Sequence, residues 1–306
     1  MSDDLDLETL LETQAFFGLP SPALVEKDFH VVRALRALAA LELAPQRLVF
    51  GGGTALSRAH KLVRRMSEDI DFKIVAPEPP ARPALRELRE RVTEALLAEG
   101  FEFEPENPEH RTSRNESRYT IFRLPYRPIA VGEGALRPEI KLEVVLWPLR
   151  EASPELPVSS FIAEAFRRPP EVARLSCVSV TQTGAEKLIA LTRRVAAEAE
   201  LEPAERDPAV IRHVYDLHMV RGQCDAGALA TLAREAMAHD AAEFGNQFPA
   251  YRDDPIGATR AALEALTRDS SYAERYRRFC QLMVYGEQPG YDEALATVRG
   301  LVADLT

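Results

Sequence analysis

Cysteine is scarce in this sequence. Only three cysteines, Cys177, Cys224 and Cys280, occur among 306 residues, and they are widely spaced. Such a small, odd-numbered set argues against a disulfide framework and against a zinc site. Long apolar runs are also missing, since no segment approaches the roughly 18 residues of a membrane span. The acidic segment MSDDLDLETL has no apolar signal core. These features predict a soluble cytoplasmic protein without a membrane partner.

Positive charge is in the minority. The chain has 38 Lys and Arg against 48 Asp and Glu, which gives a formal net charge of −10. A protein that holds long duplex nucleic acid is usually basic, so the balance argues against extended electrostatic binding. Local contact with a short RNA end stays compatible with it. The length allows one large domain or two of ordinary size, and 46% hydrophobic residues is an ordinary globular composition.

One stretch carries the chemistry. The apolar run Arg47–Phe50 predicts a buried strand, and Gly51, Gly52, Gly53 and Thr54 follow it. Glycines directly after a strand let the backbone approach a bulky anion, because no Cβ stands in the way. Thr54 is predicted to cap the next helix, whose first free N–H groups would face the same anion. Gly52, Gly53 and Thr54 are therefore predicted to bind nucleotide phosphates.

Two carboxylates follow shortly after. Asp69 and Asp71 alternate with Ile70 and Phe72, so on a strand the two acids share one face and the apolar pair points into a core. Paired carboxylates beside a phosphate-binding turn are suited to Mg²⁺, which prefers oxygen ligands and keeps substrate phosphates as partners. Asp69 and Asp71 are the predicted metal ligands, and Ser67 is expected near the phosphates.

These motifs resemble a known family. A Gly-Gly turn, a short helix and Asp-x-Asp on a strand is similar to the signature of DNA polymerase β-like nucleotidyltransferases. The longer pattern from GGTAL to RRMSEDIDF resembles the AbiEii/AbiGii-type nucleotidyltransferase toxins. Three further blocks, 25–29, 186–191 and 212–217, continue the resemblance over most of the chain. It implies an NTP substrate, a cognate antitoxin and, in relatives that add nucleotides to tRNA, an RNA acceptor.

The resemblance also implies roles for residues outside the central stretch. Lys187 would reach the nucleotide phosphates, and Glu143 would be a third carboxylate on a neighbouring strand. Asp216 matches an acid of the family pattern, whereas His213 stands where another acid is expected. Lys27 becomes a candidate for the substrate pocket. Arg65, on the predicted basic helix between the glycines and the aspartates, is the arginine expected to contact phosphates.

Each of these residues also has a plain structural interpretation. Residues 26–28 would ordinarily form a solvated first helical turn, and a basic helix is usually a solvated face. Glu143 fits an exposed strand, and Lys187 fits a helix surface. Arg212 and Asp216, four residues apart, fit a helix-surface ion pair. His60 has no partner at metal-ligand spacing and is interpreted as structural.

The expected fold is α/β (α+β): a polymerase β-like core with a small mixed sheet, then a carboxy-terminal helical bundle. We predict a nucleotidyltransferase core with amino-terminal helices over 1–150 and a mainly helical domain over 151–306 that contributes to the active site. Segments 101–104 and 177–181 are expected to be short strands. The Thr183-x-x-Glu186 spacing predicts a capping box for a helix that ends near Ala197.

The predicted function is Mg²⁺-dependent transfer of NMP from an NTP to an acceptor hydroxyl, with the tRNA 3′ end as the acceptor that the resemblance implies. Such an enzyme would act as the toxin of a toxin–antitoxin system. A protein or small-molecule acceptor is the enzymatic alternative. A binding module that kept the fold without the chemistry is the non-enzymatic one.

Overall fold

The computed structural model describes residues 5–130, 136–199, 201–202, 205–243 and 249–305. The chain divides into two compact units. Unit 1 comprises Met1–Lys61 and Met66–Val178, and unit 2 comprises Leu62–Arg65 and Ser179–Thr306. The predicted division of function between 1–150 and 151–306 stays a prediction.

Unit 1 combines helices with two sheets. Its helices are α1 (Leu7–Phe17), α2 (Pro22–Ala39), the single-turn α3 (Gly52–Thr54), α4 (Arg82–Ala98) and α5 (Phe161–Ala165). Its strands are β1 (Arg47–Gly51), β2 (Asp69–Val75), β3 (Arg111–Arg114), β4 (Tyr119–Pro125), β5 (Glu139–Leu146), β6 (Glu155–Val158) and β7 (Val172–Ser176). A π-helical turn, Ala55–Ala59, continues α3, and a 3₁₀ turn, Asn115–Ser117, joins β3 to β4.

The larger sheet is mixed and has the strand order β1-β2-β5-β4-β3. Only β2 and β5 run parallel; the other neighbouring pairs are antiparallel. Strands β6 and β7 form a separate antiparallel pair. Together with the carboxy-terminal helices described below, this five-stranded mixed sheet confirms the predicted α/β (α+β) class.

The two faces of the larger sheet differ in polarity. One face is apolar and packs against apolar residues of α2 and α4, including Val32, Leu35, Leu88 and Val92. Its strand residues include Phe50, Ile70, Phe72, Phe122, Ile140, Leu142 and Val144. Because side chains alternate along a strand, the residues between these face the other way. That second face, called the carboxylate face below, carries Asp69, Asp71 and Glu143.

Several local predictions for unit 1 need correction. Residues 101–104 form no strand, although Phe101 and Phe103 are buried in the apolar core. No strand covers residues 177–181, because β7 ends at Ser176 and a helix begins at Val180. The basic helix expected after Thr54 ends at Ala59, so Lys61, Arg64 and Arg65 lie beyond it. These three segments differ from the predictions because burial and strand pairing, rather than local periodicity, determine where their strands and helices lie.

Unit 2 is helical. Its helices are α6 (Val180–Glu198), α7 (Arg212–Val220), α8 (Ala226–Glu243), α9 (Pro249–Asp253), α10 (Pro255–Arg268), α11 (Ser270–Met283) and α12 (Tyr291–Leu305). Their apolar stripes form a common core, with Leu188, Leu191, Val214, Leu217, Ala233 and Val298 all fully or almost fully buried. The predicted carboxy-terminal helical bundle is confirmed. The predicted capping box is wrong, because Ser179 caps α6 and its Oγ accepts from Gln182 N at 3.0 Å.

Candidate active site

The glycine turn at the end of β1 meets the second aspartate of β2 directly. Gly51 is the register partner of Asp71, and Gly52 adopts a φ of 71°. A Cβ built on Gly52 would lie 1.9 Å from Asp71 Oδ2, closer than any side chain can come. Only glycine therefore fits there, for its positive φ and for the close approach of the carboxylate. The predicted neighbourhood of turn and acid is present.

Thr54 does not cap the helix. Helix α3 begins at Gly52 with Gly51 in the cap position, and no side chain caps it. Thr54 is 1% exposed, and its hydroxyl donates a hydrogen bond to the carbonyl oxygen of Asp69. The threonine thus ties the glycine turn to the start of β2. Gly53 beside it is also buried.

The predicted sharing of one face by Asp69 and Asp71 is found in β2. Both acids are partly exposed, whereas Ile70 and Phe72 between and after them are buried. The parallel register places Lys141 of β5 opposite Asp69 and Glu143 opposite Asp71. Paired residues in neighbouring strands project to the same side. The third predicted carboxylate therefore lies on the carboxylate face.

Glu143 has two polar neighbours. The ammonium of Lys141 forms an ion pair with it, and the hydroxyl of Tyr119 hydrogen-bonds to it. Burial raises the pKa of Tyr119, and the negative charges of Glu143 and Asp71 raise it further. The phenol consequently stays protonated and donates. These neighbours support an interior role for Glu143 on this face rather than that of an isolated surface acid.

The donor set of the carboxylate face suits a hard cation. Among the described residues, no group of three His, Cys, Asp or Glu side chains has the arrangement of a complete metal site. Asp69 and Asp71 supply carboxylate oxygens from adjacent same-face positions beside the glycine turn. Mg²⁺ is characteristically held by one or two carboxylates together with substrate phosphates. The residues present fit that kind of partial site.

Residues 26–28 are buried, so the interpretation as a solvated first turn is wrong. Glu26 accepts hydrogen bonds from the backbone N–H groups of Ile129 and Ala130 at 2.7 and 2.9 Å.

Lys27 is 2% exposed, and its Nζ lies 2.6 Å from Glu68 Oε2. Lys27 thereby holds the residue that precedes Asp69. Ser67, immediately before Glu68, is 8% exposed.

Asp28 completes this buried group. Its carboxylate accepts from Phe161 N at 2.7 Å and lies 3.3 Å from the guanidinium of Arg58. Burial raises the pKa of Asp28 to about 6, although the charge of Arg58 opposes the shift. Lys27, a predicted nucleotide-binding residue, therefore lies in a buried group of ion pairs, Lys27 with Glu68 and Asp28 with Arg58. His60 is also structural, because its Nε2 lies 2.9 Å from the carbonyl oxygen of Val178.

Unit 2 contains a separate buried cluster around Asp216. Its carboxylate is fully buried and receives two hydrogen bonds from Arg65, Nε to Oδ1 at 2.6 Å and a second nitrogen to Oδ2 at 2.7 Å. Lys187 Nζ lies 2.7 Å from Oδ2. Three predicted site residues therefore meet in one cluster. The surface interpretations of Lys187 and of an Arg212–Asp216 pair are both wrong.

The charges of this cluster decide its protonation. Burial acts to raise the pKa of Asp216, but Arg65 and Lys187 outweigh it and hold the pKa well below its usual range. Burial lowers the pKa of Lys187, and the charge of Asp216 opposes that shift. Asp216 therefore stays ionised between two cations.

The chain matches a known protein family over most of its length. The model of the family described as nucleotidyl transferase AbiEii toxin, type IV toxin–antitoxin system, matches residues 33–297. The chain belongs to the AbiEii nucleotidyltransferase toxin family. The resemblance drawn from its motifs is confirmed, and the protein is a nucleotidyltransferase of that toxin family.

A solved structure agrees on the fold of this AbiEii-family enzyme. MenT4, a nucleotidyltransferase toxin from Mycobacterium tuberculosis H37Rv, is similar with a TM-score of 0.53 and 17% sequence identity. The similarity covers 97% of this chain and 98% of MenT4. A search of the curated proteins gave no match.

Family membership implies a nucleotide substrate and a cognate antitoxin as partner. No helix among the described residues of the AbiEii-family enzyme has the length and apolar character of a membrane span.

His213 marks where the AbiEii-family enzyme departs from the expected pattern. It is 7% exposed, and within the described part of the chain neither ring nitrogen has a hydrogen-bond partner. Burial and the neighbouring charges of Lys187, Arg212 and Arg194 hold its pKa well below 6.5. A neutral imidazole therefore packs beside the Asp216 cluster.

Two residues of the carboxylate face were not singled out from the sequence. Lys141 and Tyr119 both contact Glu143. The alternation of β5 puts Lys141 on the same face as Glu143, so that neighbour was within reach of sequence reasoning. Tyr119 depends on the β4–β5 register, which pairs it with Val145 and which no local pattern reveals.

Proposed function

We propose that this enzyme transfers NMP from an NTP to the 3′-terminal hydroxyl of a tRNA in a Mg²⁺-dependent reaction. It would do so in the cytoplasm, where both substrates occur, as the toxin of its toxin–antitoxin pair. The observation that carries the proposal is the contact of the Gly52 backbone with the Asp71 carboxylate. Glycine N–H groups and an acidic pair at one point suit a triphosphate and its cation together.

Residues of unit 1 would bind the nucleotide. Gly52, Gly53 and Thr54 would receive the phosphates with Ser67 nearby, and Asp69 and Asp71 would hold the metal ion. When bound, Mg²⁺ would neutralise phosphate charge and polarise the phosphoryl group. Both acids lie on an interior strand of a sheet whose opposite face is a packed core. Rigid strands favour the fixed geometry that phosphoryl transfer requires.

The reaction is a displacement at the α-phosphorus. The acceptor oxygen would attack in line, a new oxygen–phosphorus bond would form, and the bond to the pyrophosphate would break. Glu143 would take the proton of the attacking hydroxyl or serve as a further metal ligand. Its contact with Tyr119 and Lys141 supports a fixed orientation for either role.

The cluster in unit 2 would supply positive charge. Lys187 would neutralise the nucleotide phosphates as a point charge. Asp216 would keep that ammonium in place and charged, consistent with their 2.7 Å separation. Arg65 and Lys27 remain nucleotide-binding candidates, although their charged ends contact Asp216 and Glu68 respectively. Those contacts support positioning roles at least as well as direct phosphate binding.

An RNA acceptor is supported by the far part of the carboxylate face. The registers of β3, β4 and β5 place Arg114, Tyr119 and Arg123 on the side that carries Glu143. Guanidinium groups suit phosphates, and an aromatic ring suits an unstacked terminal base. The overall charge of −10 fits recognition of a short RNA end rather than of a long duplex.

The test is a labelling experiment on the full-length protein. It would be incubated with each α-labelled NTP in turn, Mg²⁺ and total RNA or cell lysate, and the labelled product would be identified. Label in tRNA that maps to its 3′ end is the expected result. Label in a protein or a small molecule would replace the acceptor, and absence of label with every NTP would contradict the proposal. Asp69→Asn is the matched inactive control.

A further inference from the structure

The strand register places the cation of Lys141 beside the predicted metal-binding acids. On β5 it lies opposite Asp69, and Glu143, two residues on, lies opposite Asp71. These four side chains form two adjacent rows on the carboxylate face. The ammonium of Lys141 forms an ion pair with Glu143 Oε1. Its side chain is 35% exposed.

All three acids act on this ammonium. Burial alone would lower the pKa of Lys141, but the hydrogen bond with Glu143 and the charges of Glu143, Asp69 and Asp71 outweigh burial and raise it. Lys141 therefore stays charged at neutral pH. The four side chains Asp69, Asp71, Lys141 and Glu143 thus combine three negative charges with one built-in positive charge.

The ammonium of Lys141 and a divalent metal ion would compete for the same carboxylates. Two positive charges held against the same carboxylates repel each other, and a metal ion without nucleotide brings no compensating charge. A triphosphate does bring it, since its oxygens can accept from the ammonium while they also bind metal. A lysine stem is flexible enough to change partner without a change in the strand.

We propose that Lys141 is a resident counter-ion of the carboxylate face that opposes metal binding in the absence of nucleotide and passes to the triphosphate when nucleotide enters. This inference rests on the proposed function, because it takes Asp69 and Asp71 as metal ligands. Its consequence is that metal and nucleotide bind cooperatively, each raising the affinity of the other. Lys141 is then a binding and positioning residue.

Metal binding without nucleotide gives the decisive test. Mn²⁺ would be titrated into the full-length wild-type protein, Lys141→Gln, Lys141→Arg and Asp71→Asn, with free Mn²⁺ measured by electron paramagnetic resonance. Loss of one opposing charge should make Lys141→Gln bind Mn²⁺ about tenfold more tightly than the wild type. Lys141→Arg, which keeps the charge, should match the wild type. A merely structural lysine would give equal or weaker binding in Lys141→Gln.

The second measurement uses metal-free inorganic tripolyphosphate, which carries the phosphate charges without a choice of base. Its affinity should fall about three- to tenfold in Lys141→Gln, the usual range for loss of one charge-assisted contact, and be retained in Lys141→Arg. Lys61→Gln is the control for net charge, since Lys61 is 55% exposed and pairs with Glu164 away from these strands. Lys141→Met is the substitute variant if Lys141→Gln does not fold.

The outcomes separate the two proposals. Unchanged or weakened Mn²⁺ binding in Lys141→Gln, with Asp71→Asn impaired, would overturn the role of Lys141 and leave the proposed function intact. Unchanged tripolyphosphate affinity would overturn the transfer of Lys141 to nucleotide. Equal Mn²⁺ binding by the wild type and Asp71→Asn would contradict the metal site itself, and with it the proposed function.

Discussion

The two units hold their predicted catalytic aspartates in opposite ways. Asp69 and Asp71 of unit 1 lie partly exposed on the carboxylate face, and the Asp71 carboxylate lies close to the backbone of Gly52. Asp216 of unit 2 is fully buried, and its oxygens are taken by Arg65 and Lys187. The same functional group is therefore available for chemistry in one unit and committed to internal pairing in the other.

The acids of the two units are therefore expected to contribute to different properties, Asp69 and Asp71 to activity and Asp216 to stability. A partly exposed pair of like charges contributes little to folding, because the two carboxylates repel each other. A buried carboxylate between two cations cannot be removed without leaving those cations unpaired in a low-dielectric interior. Substitutions of acids in the two units should therefore differ in which property they damage.

The largest effect is expected from Asp71→Asn. Transfer of label from an α-labelled NTP should fall at least about a thousandfold, because a ligand for the metal and the charge beside the phosphates are both lost. The free energy of unfolding in urea should change by less than about 1 kcal/mol. Glu106→Gln, whose side chain is 95% exposed, is the control and should keep both properties. Retention of normal activity by Asp71→Asn would remove the basis of the proposed function.

Asp216→Asn tests the other side of the contrast. It should lower the free energy of unfolding by about 3–5 kcal/mol, because Arg65 and Lys187 would stay buried without their counter-charge. Chemical denaturation followed by circular dichroism measures the loss. The double variant Asp216→Asn, Lys187→Met should recover part of it, since one unpaired cation is gone.

The control for Asp216 is an exposed pair on a unit 2 helix. Glu264 and Arg268 are paired at i and i+4 on α10, with side chains 56% and 78% exposed. Glu264→Gln should cost less than about 0.5 kcal/mol. A loss under about 1 kcal/mol for Asp216→Asn would mean that the cluster is less buried in solution than its geometry indicates.

Gly52→Ala sharpens the argument for the glycine turn. The added Cβ would overlap Asp71 Oδ2, so we expect about 1–3 kcal/mol of destabilisation beyond the strain of positive φ, together with loss of transfer activity. Gly18→Ala is a matched control, because Gly18 also has a positive φ, 65°, but nothing lies within 4 Å of an added Cβ. Thermal unfolding and label transfer would be measured for both. Equal behaviour of the two variants would argue against a tight contact with Asp71.

The smallest effect concerns pH and His213. Its folded-state pKa lies well below 6.5, so below that pH the unfolded chain binds more protons than the folded one. Stability should fall by about 1.4 kcal/mol per pH unit as the pH drops from 6.5 towards the folded-state pKa. His213→Leu should lack this component in urea unfolding measured from pH 7 to 5. The same slope in wild type and variant would assign the acid sensitivity to other groups.

Chain chemistry alone predicted how the acids of β2 are arranged. The alternation in Asp69–Phe72 predicted one polar and one apolar face, and that holds because a strand has a two-residue period whatever surrounds it. The glycines of residues 51–53 predicted a close approach of phosphates to the backbone, which stays a prediction; the structure shows the Asp71 carboxylate close to Gly52. Helices of unit 2 were predicted from their apolar stripes, since amphipathic periodicity is a local property.

Only the tertiary structure decided which charges are paired. Arg65 and Asp216 are separated by 151 positions, and Lys27 and Glu68 by 41. No local pattern distinguishes these residues from solvated helix charges. The boundaries of α3 and α6 also depended on context, because Thr54 bonds across to β2 and Ser179 takes the cap that Thr183 was expected to provide. Periodicity and turn chemistry act within a few residues, whereas burial and charge pairing are set by segments that meet only after folding.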